Sequence, residues 1–205
     1  MKKFKQFYSA NGAMIFKLTV TQVSMSVFSL IITIAMRAAA IVSGAPRGLL
    51  YSLASIAGIL FYWFLVHDFL WQRGAHDAPG IASGRIPRDP LKGLKTGACA
   101  LLPTLILSAV YIISYLIAVP TQSVIAGSTN TVVAIPLFYL LNGMYYGFFS
   151  LAEGTYWMPV VAALSCVLSL AFPTLAYALG IKEKKLRSFV GLENLDLPEK
   201  KDKRR

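Results

Sequence analysis

Long apolar runs broken by short polar segments set the pattern of this chain. Residues 13–36, 48–66, 96–119, 131–151 and 157–181 form five stretches nearly free of charge. Each is close to the roughly 20 residues a helix needs to cross a hydrocarbon layer about 30 Å thick. The apolar positions run on continuously instead of alternating, and a spanning chain must satisfy its amides internally. The pattern therefore predicts an all-α fold, a polytopic transmembrane helix bundle of about five membrane helices forming one domain over residues 1–181.

The polar interruptions refine this picture. Ser43, Gly44 and Pro46 mark a turn between the first two stretches and make them an antiparallel hairpin. Segment 67–95 carries Pro79, Gly80, Gly84, Pro87 and Pro90, residues that predict an irregular loop. Segment 120–130 has no charge and suits the outer face. Within the first stretch, Thr19, Thr21, Gln22, Ser24 and Ser26 predict a face packed on other helices or lining a polar cavity. The fourth stretch combines Pro136 and Asn142 with Gly143 and Gly147, a G-x-x-x-G spacing that lets helix backbones approach closely.

Composition excludes a water-soluble domain. Hydrophobic residues make up 56% and charged residues 14% of the chain, and the mean hydropathy is +0.61. The net charge of +11 is concentrated in the amino-terminal arm, the 67–95 segment and the tail, so anionic lipid headgroups are the expected partner and nucleic acid is not. The basic opening MKKFKQFYSANGAMIFK leads into an apolar run with no clean cleavage site, which predicts a retained first span. Cys99 and Cys166 sit alone in apolar stretches and predict neither a disulfide nor a metal site. The basic tail, residues 182–205, is expected to be disordered.

Topology sets two expectations against each other. The positive-inside rule puts the arm and the 67–95 segment in the cytoplasm. Five full crossings, the preferred reading for stretches of this length, then put the basic tail outside. The alternative is a fourth stretch that enters and leaves on one side as a re-entrant segment, bringing arm, loop and tail to the same face.

Acids and histidines meet only in the 67–95 segment. Asp68, Gly74 and Asp77 are similar to part of the acid-rich loop of the CDP-alcohol phosphatidyltransferases, but the Asp-Gly pair and the helical register of carboxylates are missing. No phosphate-binding glycine motif occurs, so no catalytic residue, metal or cofactor is assigned. No ionisable group lies deep in a span, which disfavours a self-sufficient ion-driven pump. Trp71, Gly74 and Asp77 in W-x2-G-x2-D, followed by Gly84-Arg85 and by K-G-L-K leading into the third span, resemble small polytopic membrane proteins of Gram-positive bacteria. That resemblance implies a fold type and no chemistry.

Two functions fit the residues. One is a non-enzymatic subunit or accessory of a membrane transport complex, partnered by another membrane protein or an ATPase subunit. For it Gln22, Asn142, Asp77, Arg85 and Arg88 are the candidate ligand or partner contacts, Tyr145 and Tyr146 further lining residues, and Gly143 and Gly147 the helix-packing positions. The other is a membrane enzyme acting on lipid headgroups through Asp68, His76, Asp77, Arg85 and Asp89.

Overall fold

Helix α1 (Lys2–Ser43) takes in both the first apolar stretch and the arm before it. Its 42 residues correspond to about 63 Å, twice the hydrocarbon thickness, so the helix projects well beyond the layer. The fold comes from a computed structural model that describes residues 2–44, 46–87, 89 and 91–182. Arg88 and the tail from residue 183 onward lie outside the described residues.

Gly44, at a φ of 68°, provides the left-handed turn into α2 (Arg47–Ala82), which returns antiparallel to α1. Residues 67–82, expected as irregular loop, continue this helix. Ser55, Gly58, Tyr62, Val66, Leu70, Gly74 and Asp77 are all buried, spaced three or four apart on one face, and the packing of that face holds the helix together through its polar portion. Pro79 has no amide to donate to the carbonyl four residues earlier, and the helix ends three residues beyond it, at Ala82. The irregular connection is correspondingly shorter and contains Gly84 at a φ of 71°.

Helices α3 (Lys92–Ala100) and α4 (Leu102–Thr121) together make the third crossing, with a joint at Leu101 and Pro103 in the first turn of α4. Gln122, in the left-handed conformation, ends α4. Ser123 then caps α5 (Val124–Ile135) by accepting from the Ala126 amide, so the connection expected over residues 120–130 is only a tight turn.

Helix α5 has 12 residues, about 18 Å of rise, too short to cross the layer alone. Pro136 has no amide proton, and the backbone widens there into a π-helical turn, Pro136–Leu141. It closes with the Asn142 amide donating to the Leu137 carbonyl at 2.8 Å. A 3-10 turn, Gly143–Tyr145, reverses the chain into α6 (Tyr146–Ala152). The two legs lie side by side, with the Phe138 and Phe149 rings 4.3 Å apart and those of Tyr139 and Tyr146 5.2 Å apart.

Both legs end at one end of the bundle. Leu151 packs at Gly48 near the start of α2, and the Tyr115 hydroxyl of α4 donates to the Thr155 carbonyl at 2.9 Å. Gly154, at a φ of 74°, turns the chain into α7 (Met158–Ile181), which traverses to the other end.

Among the described residues five helices are long and apolar enough to cross a membrane, and the protein is a multi-pass, all-α membrane bundle. Four passes traverse it: α1, α2, α3–α4 and α7. The fourth apolar stretch in chain order instead forms a re-entrant hairpin with α6, the route weighed as the alternative to five full crossings. The start of α1, the end of α2, the start of α3 and the end of α7 consequently share one face. Among the described basic residues only Arg37 and Arg47 belong to the opposite end.

Candidate functional site

The hairpin tip places a break between π-helical and 3-10 turns, at Asn142, in the interior of the bundle. Broken helix turns leave carbonyls without partners, and at this depth the protein itself must supply them. Gln22 of α1 donates through Nε2 to the Leu141 carbonyl at 3.0 Å and to the Thr104 hydroxyl at 3.0 Å. Ser26, one turn later on α1, donates to the same Leu141 carbonyl at 2.9 Å. Both side chains are buried, at 2% and 0% exposure. The polar face of the first stretch is thus a docking strip for the tip.

Helices α2 and α7 hold the other sides. The Gly147 amide donates to the Ser55 hydroxyl at 2.7 Å. Asn142 Nδ2 donates to the Ser165 hydroxyl at 3.3 Å, and the Tyr145 and Ser169 hydroxyls share a hydrogen bond at 3.0 Å. Asn142 is fully buried, and its Oδ1 has no hydrogen-bond partner among the described residues. An acceptor buried without a donor costs about 1–3 kcal/mol, so the tip carries a local energetic cost at Asn142.

The glycines of the fourth stretch allow this approach. A β-carbon at Gly143 would fall 2.6 Å from the Ser26 carbonyl oxygen, and one at Gly147 would overlap the Tyr51 carbonyl oxygen. Both glycines face other spans of the same chain.

A second constellation closes the basic end. Asp77, buried at 2% exposure near the end of α2, accepts from Lys92 Nζ at 2.6 Å and from the Tyr177 hydroxyl at 2.9 Å, both on Oδ2. Arg73 Nε and His76 Nδ1 each lie 3.7 Å from Oδ1. One carboxylate therefore ties α2 to the start of α3 and the end of α7. Glycines again bring the backbones together. A β-carbon at Gly74 would sit 2.6 Å from the Tyr177 carbonyl oxygen, and one at Gly93 2.7 Å from that of Pro173. Gly97, one turn beyond Gly93, faces the Pro173 ring. The K-G-L-K-T-G sequence contains this second G-x-x-x-G spacing, whereas the Gly74–Gly180 contact joins residues with no sequence signal linking them.

The remaining acids of this end do not converge on Asp77. Asp68 accepts from Gln72 Nε2 at 3.0 Å, and Asp89 pairs with Lys95 at 2.6 Å. No three His, Cys, Asp or Glu side chains among the described residues could hold a metal ion together. Arg85 is exposed on the turn after α2, while Arg88 lies outside the described residues. Of the candidate contacts, the fold brings Gln22 and Asn142 to one tip and places Asp77 in a separate ion pair. The chain matches no protein-family model, no curated protein and no solved structure.

Proposed function

We propose that this integral membrane protein is a non-enzymatic subunit or accessory of a transport complex in the cell membrane, with its basic face in the cytoplasm. The observation that carries the reading is the re-entrant tip, a helix break at Asn142 inside the bundle among uncharged polar side chains. Membrane proteins tolerate such backbone where it is buried in protein or lines a path for a solute. Gln22, Ser26, Ser55, Ser165 and Ser169 hold the tip, and Asn142 offers it an unused acceptor. The sidedness rests on the positive-inside rule, since arm, α2 end and α3 start share one face. On that face Arg85 is exposed for contact with a partner protein or ATPase subunit, and anionic headgroups surround it.

The enzyme reading has weaker support, because Asp68, Asp77 and Asp89 each bond to a separate neighbour instead of forming a carboxylate set. Affinity purification from native membranes in mild detergent distinguishes the two. A stoichiometric membrane protein or ATPase should accompany the wild-type chain and be lost with Arg85→Glu. An isolated chain that turns over a lipid substrate with added divalent metal, and loses that turnover in Asp77→Asn, would overturn the proposal.

A further inference from the structure

At the end opposite the basic face, between α4 and the re-entrant hairpin, lies a cavity of about 370 Å³. That volume falls within the usual 300–1,000 Å³ of small-molecule sites. Tyr111, Tyr115, Tyr139 and Tyr146 contribute rings to its wall, Asn130 contributes an amide, and Glu153 contributes a carboxylate. The Tyr139 and Tyr146 rings are 5.2 Å apart and those of Tyr111 and Tyr115 6.1 Å apart, so two tyrosine pairs line the space. Lys and Arg are absent from the lining.

This composition selects for charge. Tyrosine ring faces carry the negative end of the ring quadrupole and attract a cation within about 6 Å. Glu153 adds a full negative charge, and it is the one acid among the described residues at this end of a chain whose net charge is +11. An anion would meet repulsion from the carboxylate with no base to offset it. We infer that the Glu153 cavity is a binding site for an organic ammonium group, primary or quaternary, presented either by a small soluble amine or by an aminolipid headgroup.

The hairpin contributes one tyrosine of the Tyr139–Tyr146 pair from each leg. Tyr139 and Tyr146 form a wall whose far side lines a neighbouring cavity of about 220 Å³ containing Arg37 and Tyr51. The wall thus separates the carboxylate compartment from the guanidinium compartment.

Purified protein in phosphatidylglycerol nanodiscs, titrated calorimetrically with benzyltrimethylammonium, tests the site. Saturable binding is expected, weakened about tenfold or more in Glu153→Gln and in Tyr146→Leu, in line with a partly desolvated cation–π contact. Glu153 is exposed, so Glu153→Gln leaves the fold intact, and Arg37→Gln across the wall should not weaken the probe. Adding phosphatidylethanolamine to the discs identifies the source. Competition assigns the site to a headgroup, and undiminished binding assigns it to a soluble amine. Absence of saturable binding, equal binding by Glu153→Gln, or equal binding of the uncharged tert-butyl carbon analogue would each overturn the inference. Binding is read on the isolated protein, so its failure and the failure of partner capture are separate results.

Discussion

Asp77 shows how much one buried charge can organise. Its carboxylate is 3% exposed and Lys92 is 19% exposed, so the pair is shielded enough for its loss to matter. The Arg73 contact at 3.7 Å involves a side chain 41% exposed and contributes little. Replacing Asp77 by Leu leaves the largely shielded Lys92 ammonium without its partner, and Asp77→Leu should destabilise the detergent-solubilised protein by about 3 kcal/mol. Adding Lys92→Met should recover part of that loss, read as a favourable coupling in a double-mutant cycle of denaturation midpoints. Strictly additive losses would show that Asp77 and Lys92 do not act as a pair. Asp77 stood out in the sequence because acids are scarce, and so did Gln22 and Asn142 as polar residues inside apolar stretches. Their partners were not legible: Lys92 is fifteen positions from Asp77 and Tyr177 a hundred, and no local spacing rule connects them.

At the scale of elements, the apolar stretches were readable and their ends were not. Residues 67–82 looked like loop because polar groups, glycine and proline dominate there. Yet the buried positions of α2 keep a helical spacing as far as Asp77, a signal carried by Gly74 and Asp77, which do not register as hydrophobic. The start of α5 is hidden for a related reason, since Ser123, Ser128, Thr129 and Asn130 have the composition of an outer loop. Their hydroxyls and amide instead bond back within the helix or across to α4. For the hairpin, backbone proximity decides stability. Gly147→Ala drives a β-carbon into the Tyr51 carbonyl and the Ser55 hydroxyl and should cost about 1–3 kcal/mol, as overpacking does. Gly127→Ala, where nothing lies within 4 Å, should be neutral or slightly stabilising by helix propensity. A shared melting temperature for the two variants would contradict the packing of the hairpin against α2.

For the whole molecule, the number of full passes determines which surfaces share a compartment. With four passes and a hairpin, residues on either side of the hairpin face the same compartment. Single cysteines replacing Val124, 84% exposed, and Tyr156, 81% exposed, should react with an impermeant maleimide from one side, and Ser83→Cys from the other. A background with both native thiols changed to serine keeps the labels unambiguous. Opposite-side labelling of Val124→Cys and Tyr156→Cys would restore five full passes. Residue counts alone do not decide this, because an apolar stretch of 21 residues, 131–151, is long enough to span. The contacts of Asn142 and Gly147 show that it turns back. The location of the tip's partners also constrains biogenesis. Ser165 and Ser169 belong to α7, so a nascent chain that has just released Glu153 from the ribosome holds a hairpin whose tip still lacks two tethers. Until α7 packs alongside, the tip lacks its Asn142–Ser165 and Tyr145–Ser169 bonds, so the helix that follows the hairpin in the chain is the one that locks the middle of the protein.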